Sequence, residues 1–127
     1  MEAAWERAVV RGDVETVRQA LRAGADVDAR DAHGQTALML AAHRGNRALV
    51  ETLVAAGADL DVTAKYNLSA LMLAIVAGHE AVARVIARAG ADLGIRGRGA
   101  PGFEGKTAHD LAVERGLNDL GVDPQRP

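Results

Sequence analysis

Gly24-Ala25-Asp26, Gly57-Ala58-Asp59 and Gly90-Ala91-Asp92 are three copies of one tripeptide, and each copy begins 33 residues after the previous one. A second set of residues keeps the same interval, namely Gly12, Gly45 and Gly78. A constant period of roughly 20–50 residues is typical of proteins built from stacked units. The sequence therefore predicts a repeat protein.

The composition excludes several classes of protein. The chain has 127 residues and a net charge of −2, so it has no bulk attraction for nucleic acid or acidic membranes. Because it has no cysteine, it can form no disulfide and no thiolate metal site. No window reaches the roughly 18 apolar residues of a membrane span, and Met1–Arg7 does not resemble a secretory signal. Arginine outnumbers lysine, as in proteins from GC-rich bacterial genomes. We expect one cytoplasmic, bacterial domain.

The segment from Asp31 to Ala64 indicates how one unit is built. Thr36 is a good N-cap, because its hydroxyl accepts a hydrogen bond from an unpaired backbone N–H, and Gly45 supplies a left-handed end. A second helix is predicted over 47–56, with Gly57 ending it in the same way. Helices of about ten residues are unstable alone, so neighbouring units must hold them. The residues expected to face those neighbours are Leu38, Ala41, Leu49, Val50, Leu53 and Val54.

The motifs of this segment resemble those of an ankyrin repeat. They are Asp31-x-x-Gly34-x-Thr36-Ala37-Leu38-x-Leu40-Ala41-Ala42-x-x-Gly45, then Leu49-Val50, Leu53-Val54 and Gly57-Ala58-Asp59. The resemblance implies an all-α solenoid of stacked helix-turn-helix units with short, projecting, β-hairpin-like fingers. The Thr-Pro-Leu-His sequence of the family appears here as 36–39 and 69–72, where methionine replaces the histidine that usually bridges neighbouring repeats.

The register divides the chain into four units of a single domain spanning 1–127. The units are about 1–31 as an N-terminal cap, 32–64, 65–97, and 98–127 as a C-terminal cap. Gly34 and Asn67 occupy matching positions and are expected at finger tips with left-handed backbone. Five residues are inserted within 97–104, a glycine-rich segment. Insertions of this kind often lie on the binding face of repeat proteins.

The end of the chain departs from the period, because only the short run 117–122 follows Gly116 where an outer helix is expected. Three residues of the third outer helix are then expected to be only partly covered: Val82, Val85 and Ile86. In one interpretation the run folds back as a plug through Leu117, Leu120 and Val122. In the other, this end forms a homodimer or a partner contact.

Few residues suggest catalysis or ligand binding. The four histidines, His33, His43, His79 and His109, lack metal-site spacing. We expect a structural role for His79 and a position at the edge of the core for His109. Ser69, the only serine, is in register with Thr36 and is interpreted as a helix cap. Gly97-x-Gly99-x-x-Gly102 matches a dinucleotide-binding spacing, but further loop residues separate it from the next helix cap. We therefore expect no catalytic residue, no cofactor and no metal ion.

The resemblance also implies a concave binding surface made of finger tips and exposed positions of the inner helices. The matching residues are Arg30, His33, Gln35, His43 and Arg44 in the second unit, Lys65, Tyr66, Leu68 and Val76 in the third, and Arg96, Arg98, Phe103 and Lys106 near the insertion. Tyr66 is the best single candidate, because tyrosine is common at binding hot spots. The alternative is that its ring packs on Phe103. The basic cluster of Arg96, Arg98 and Lys106 suits an acidic partner, or is a solvated loop.

The leading hypothesis is a non-catalytic protein–protein interaction module that binds an unidentified protein or peptide on this concave face. It predicts no nucleic-acid or membrane partner, and a monomer or weak homodimer. The alternative is a self-assembling structural protein that dimerises through its incomplete C-terminal repeat. A remote alternative is a nucleotide binder or enzyme that uses the glycine loop 97–102.

Overall fold

The computed structural model describes residues 1–117 and 119–123, and this part of the chain forms an all-α solenoid. The helices are α1 (Ala3–Arg11), α2 (Val14–Arg22), α3 (Ala37–Arg44), α4 (Arg47–Ala55), α5 (Ala70–Val76), α6 (Glu80–Arg88) and α7 (Ala108–Glu114). A short 3₁₀ turn spans Lys65–Asn67. None of these described helices has the length and hydropathy needed to span a membrane.

The helices form two layers. The inner layer contains α1, α3, α5 and α7, each packed on the next, and the outer layer contains α2, α4 and α6. Each outer helix also packs on the inner helix that precedes it in the chain. One continuous apolar core lies between the layers, and the largest fully buried side chains include Leu38, Leu71 and Leu111. The predicted fold class is therefore confirmed.

The inner helices begin at matching caps. The hydroxyls of Thr36, Ser69 and Thr107 each accept a hydrogen bond at 3.3 Å from the backbone N–H three residues later. At α7 the carboxylate of Asp110 also accepts from the backbone N–H of Thr107, which completes a capping box. The backbone hydrogen bond from Thr107 is the main reason why the pKa of Asp110 lies below its ordinary value. The interpretation of Ser69 as a helix cap is confirmed.

His79 connects the second and third units at the turn between inner and outer helices. Its Nε2 hydrogen-bonds to the carbonyl oxygen of His43 at 3.1 Å, and its ring lies against Gly45. A Cβ on Gly45 would approach Nδ1 of that ring to 2.5 Å, and the backbone there is left-handed with φ of 74°. The absence of a side chain at Gly45 is thus what admits the ring. The expected structural role of His79 is confirmed.

Aspartates after each outer helix join neighbouring units by backbone hydrogen bonds. The N–H of Asp59 donates to the carboxylate of Asp28 at 2.8 Å, and the N–H of Asp92 donates to Asp61 at 2.8 Å. Position 94 matches Asp28 and Asp61 but is a glycine. The third copy therefore offers no carboxylate to a following unit. The series of inter-unit bonds therefore ends where the insertion begins.

The fingers are turns rather than strands. Isolated bridges join Arg30 to Thr36 and Gly97 to Glu104, and no strand occurs in the described residues. One hydrogen bond recurs at the base of all three: Asp31 N–H to Gln35 O at 2.8 Å, Ala64 N–H to Leu68 O at 3.4 Å, and Gly97 N–H to Lys106 O at 2.9 Å. Asn67 has φ of 57°, as predicted, and Tyr66 is also left-handed with φ of 60°. The five inserted residues thus lie between the two ends of a hydrogen bond that recurs at the base of every finger.

The C-terminal residues 119–123 lie against the last outer helix. Leu120 is 2% exposed and Val122 is 4% exposed, and the guanidinium of Arg84 donates to the carbonyl oxygen of Asp119 at 3.1 Å. Leu117 is half-buried against the core. The fold-back prediction is confirmed, and the expectation of partial cover was wrong for Val82 and Ile86, which are both buried.

Candidate partner-binding surface

The structure places the residues predicted for the binding surface in three classes of exposure. Exposed residues are Arg30, His33, His43, Arg44, Lys65, Tyr66, Arg96 and Arg98. Half-buried residues are Gln35, Val76, Phe103 and Lys106. Leu68 is buried. Most of the predicted set is therefore accessible at the fingers and at the C-terminal ends of the inner helices.

Leu68 is the exception, and its assignment to a binding surface is corrected. It is 4% exposed and belongs to the apolar core. Its matching residue in the second unit is the polar Gln35, which stays only half-buried at the base of the finger. Burying an apolar side chain at the same position stabilises the fold, because its surface is removed from water. Leu68 therefore packs in the apolar core at the base of the third finger and is unavailable to a partner.

The insertion is anchored to the third finger by two hydrogen bonds and braced by a third within the loop. The N–H of Arg98 donates to the carbonyl oxygen of Tyr66 at 2.8 Å, and the side-chain amide of Asn67 donates to the carbonyl oxygen of Arg96 at 2.9 Å. Within the loop, the N–H of Gly99 donates to the carboxylate of Glu104 at 2.7 Å. These bonds hold the finger and the insertion together as one surface feature.

The rings of Tyr66 and Phe103 pack together on this feature. Their centroids are 5.6 Å apart at an angle of 42°, and the ammonium of Lys65 lies 4.9 Å from the centre of the Tyr66 ring. The contact between Tyr66 and Phe103, which the sequence offered as an alternative, is therefore confirmed. Tyr66 nevertheless remains 36% exposed. We call Lys65, Tyr66 and Phe103 the aromatic cluster.

The three basic residues near the insertion differ in how they are paired. The guanidinium of Arg96 donates to the carbonyl oxygen of Gly105 at 2.6 Å, and the ammonium of Lys106 forms an ion pair with Glu114 at 2.6 Å. Arg98 is exposed and forms no ion pair with any described residue. Of these three cations, the guanidinium of Arg98 is therefore the one with neither an ion pair nor a side-chain hydrogen bond among the described residues.

The inner helices contribute a second part of the surface, and one of its residues was missed. Val10 of α1 is 39% exposed, and its carbonyl oxygen accepts a hydrogen bond from the guanidinium of Arg44 at 2.5 Å. Val10 is in register with His43 and Val76, which the sequence had identified. Applying the 33-residue period toward the N-terminus would have found it.

The glycine loop does not have the geometry of a phosphate-binding turn. Such a turn needs free backbone N–H groups at the start of a helix, whereas the N–H groups of Gly97, Arg98 and Gly99 all donate within the protein. The next helix begins only at Ala108. Among the described residues, no three His, Asp or Glu side chains are grouped so that they could hold a metal ion.

Comparison with known proteins gives one result. A family model described as ankyrin repeats, in three copies, matches residues 5–97. The match covers the first three helix pairs and stops at the first residue of the insertion. No curated protein has a sequence that matches this chain.

Proposed function

The chain belongs to the ankyrin repeat family, and from this premise we propose that it binds one protein or peptide through its fingers and inner helices. Ankyrin repeats are generally protein–protein interaction modules. The proposed binding surface consists of the aromatic cluster, Arg98, and the exposed residues of the inner helices. No catalytic step is assigned to it, because Ser69 is buried as a helix cap and no described side-chain cluster suits metal binding.

The observation that carries this proposal is the exposure of Tyr66 on a rigid support. Its ring packs on Phe103, and its carbonyl oxygen holds the insertion through Arg98. A tyrosine that is already ordered loses little conformational entropy when a partner covers it. Tyrosine is also among the residues that most often dominate binding energy. An exposed tyrosine that is held in place in this way is thus well suited to anchor a partner.

The boundaries of the functional unit form part of the proposal. We assign 1–127 to a single domain with units at about 1–31, 32–64, 65–97 and 98–127, the last acting as a C-terminal cap. The burial of Leu120 and Val122 supports this role, because they cover the last outer helix. Because these residues cover the apolar face at the end of the stack, we also propose that the protein is a monomer.

The proposal is tested by Tyr66→Ala in a pull-down from the native cell. Truncating a hot-spot side chain costs about 2 kcal/mol of binding free energy, which lowers affinity by a factor of about 30. Recovery of the partner should therefore fall sharply. Arg88→Ala is the control, because it truncates an exposed side chain of the outer helix α6, outside the proposed surface. It should leave recovery unchanged. Equal recovery with wild type and with folded Tyr66→Ala would count against the proposal.

A further inference from the structure

The net charge of −2 conceals an uneven distribution of charge between two sides of the molecule. We define the finger side as 1–11, 29–44, 62–77 and 95–115, which contains the inner helices and the fingers. The back side is 12–28, 45–61, 78–94, 116–117 and 119–123, which contains the outer helices and the aspartate turns. The finger side has nine Arg or Lys residues and six Asp or Glu residues. The back side has five Arg and eleven Asp or Glu residues, so the two sides have opposite net charge.

Ion pairing reinforces this difference. On the back side, three of the five arginines pair with glutamates of their own helices: Arg18 with Glu15, Arg47 with Glu51, and Arg84 with Glu80. The other two, Arg22 and Arg88, are exposed and form no ion pair with a described residue. On the finger side, Arg7, Arg30 and Arg98 are exposed and form no ion pair with described residues. An unpaired guanidinium is free to meet a carboxylate with two parallel hydrogen bonds. The cations available to a partner therefore lie mainly on the finger side.

Three acidic residues lie near the aromatic cluster or Arg98, and each of their carboxylates accepts a backbone hydrogen bond. Glu104 accepts the N–H of Gly99. Asp61 and Asp92 border a groove of about 430 Å³ together with Arg96 and Arg98. Asp61 accepts the N–H of Asp92, and Asp92 accepts the N–H of Gly94. The hydrogen bonds fix both carboxylates in position but leave their charge in place, so within the groove Asp61 and Asp92 offset Arg96 and Arg98. The excess of positive charge belongs to the finger side as a whole, where Lys65 of the aromatic cluster and Arg98 form no ion pair with a described residue.

We infer that the partner is an acidic segment of another protein, seated across the aromatic cluster and Arg98. This inference rests on the proposed function and adds the chemistry of the partner. Complementary charge steers association and disfavours like-charged partners. A nucleic acid fits less well, because its dense phosphates would meet a chain of net negative charge with eleven acidic residues on the back side. An acidic peptide can place a few carboxylates on the finger side alone.

The test measures the fluorescence anisotropy of three labelled peptides of equal length, one rich in glutamate, one in glycine and serine, and one in lysine, and of one labelled DNA oligonucleotide. The purified full chain should bind the acidic peptide most tightly, and more weakly at about 200 mM than at about 50 mM salt. Arg98→Glu should weaken this binding by roughly fivefold to tenfold, because an attraction becomes a repulsion. Arg30→Glu is a second variant of the finger side and should act in the same direction. Arg88→Glu, on the exposed part of α6, makes the same change in net charge and should alter affinity less than about twofold.

Specific results would overturn the inference. They are equal binding of the neutral or lysine peptide, tighter binding of a DNA oligonucleotide, or equal losses for Arg98→Glu and Arg88→Glu. If any of these results is found while capture of a native partner still depends on Tyr66, the inference of an acidic partner is wrong and the proposed interaction function stands. If the Tyr66→Ala variant captures the native partner as well as the wild type does, the proposed function itself is contradicted.

Discussion

Replacing Leu71 by alanine is expected to lower the free energy of unfolding by about 2–5 kcal/mol. Leu71 is 0% exposed and lies on α5, which packs on α3, α6 and α7. The change removes buried methyl groups and leaves a cavity that the surrounding helices fill only in part. Because each unit contacts only its neighbours and the helices are short, a defect at α5 weakens both halves of the stack.

The matched control is Leu73→Ala, the same substitution on the same helix at a half-buried position. Its cost should be smaller, about 1 kcal/mol, because less apolar surface returns to water and no closed cavity forms. Chemical unfolding followed by far-ultraviolet circular dichroism measures both values. Equal destabilisation by the two variants would contradict the assignment of Leu71 to the central contact of the stack.

Gly97→Ala is expected to detach the insertion from the third finger without unfolding the helices. A Cβ at Gly97 would overlap the carbonyl oxygen of Phe103 and lie 2.8 Å from its Cβ. The loop must move outward to accommodate it, which breaks the bond from the N–H of Arg98 to Tyr66. Hydrogen exchange of the Arg98 amide should become at least about tenfold faster, since loss of roughly 1.4 kcal/mol of local stability corresponds to that factor.

Gly102→Ala provides the comparison within the same loop, because a Cβ at Gly102 has no atom within 4 Å. It should leave exchange of the Arg98 amide unchanged. Partner recovery should fall for Gly97→Ala and stay the same for Gly102→Ala, since only the former displaces Phe103 from Tyr66. Unchanged protection of Arg98 in Gly97→Ala would show that the loop is not held by this close contact.

The parts of the fold that depend on local chemistry could be predicted from the sequence. Thr36 and Ser69 were recognised as helix caps, because a hydroxyl before an apolar run has one favourable local use. The left-handed backbone at Asn67 was predicted because asparagine tolerates that region. The 33-residue period supplied the order of the helices.

The features that depend on distant contacts could not be predicted with the same precision. The burial of Leu68 follows from core packing, which its register with the polar Gln35 did not indicate. Tyr66 adopts φ of 60°, although tyrosine has no local preference for that region, because the finger and the insertion hold it there. The sequence also left two interpretations of the C-terminal run open. Only the burial of Leu120 and Val122 distinguished them.

The most direct test of the account is photo-crosslinking in the native cell, with a photoreactive phenylalanine derivative in place of Tyr66 or of Arg88. Tyr66 lies on the finger side, and Arg88 is exposed on α6 of the back side. The account predicts that one partner protein is crosslinked from position 66 and not from position 88. Crosslinking of the partner from position 88 but not from position 66 would contradict it.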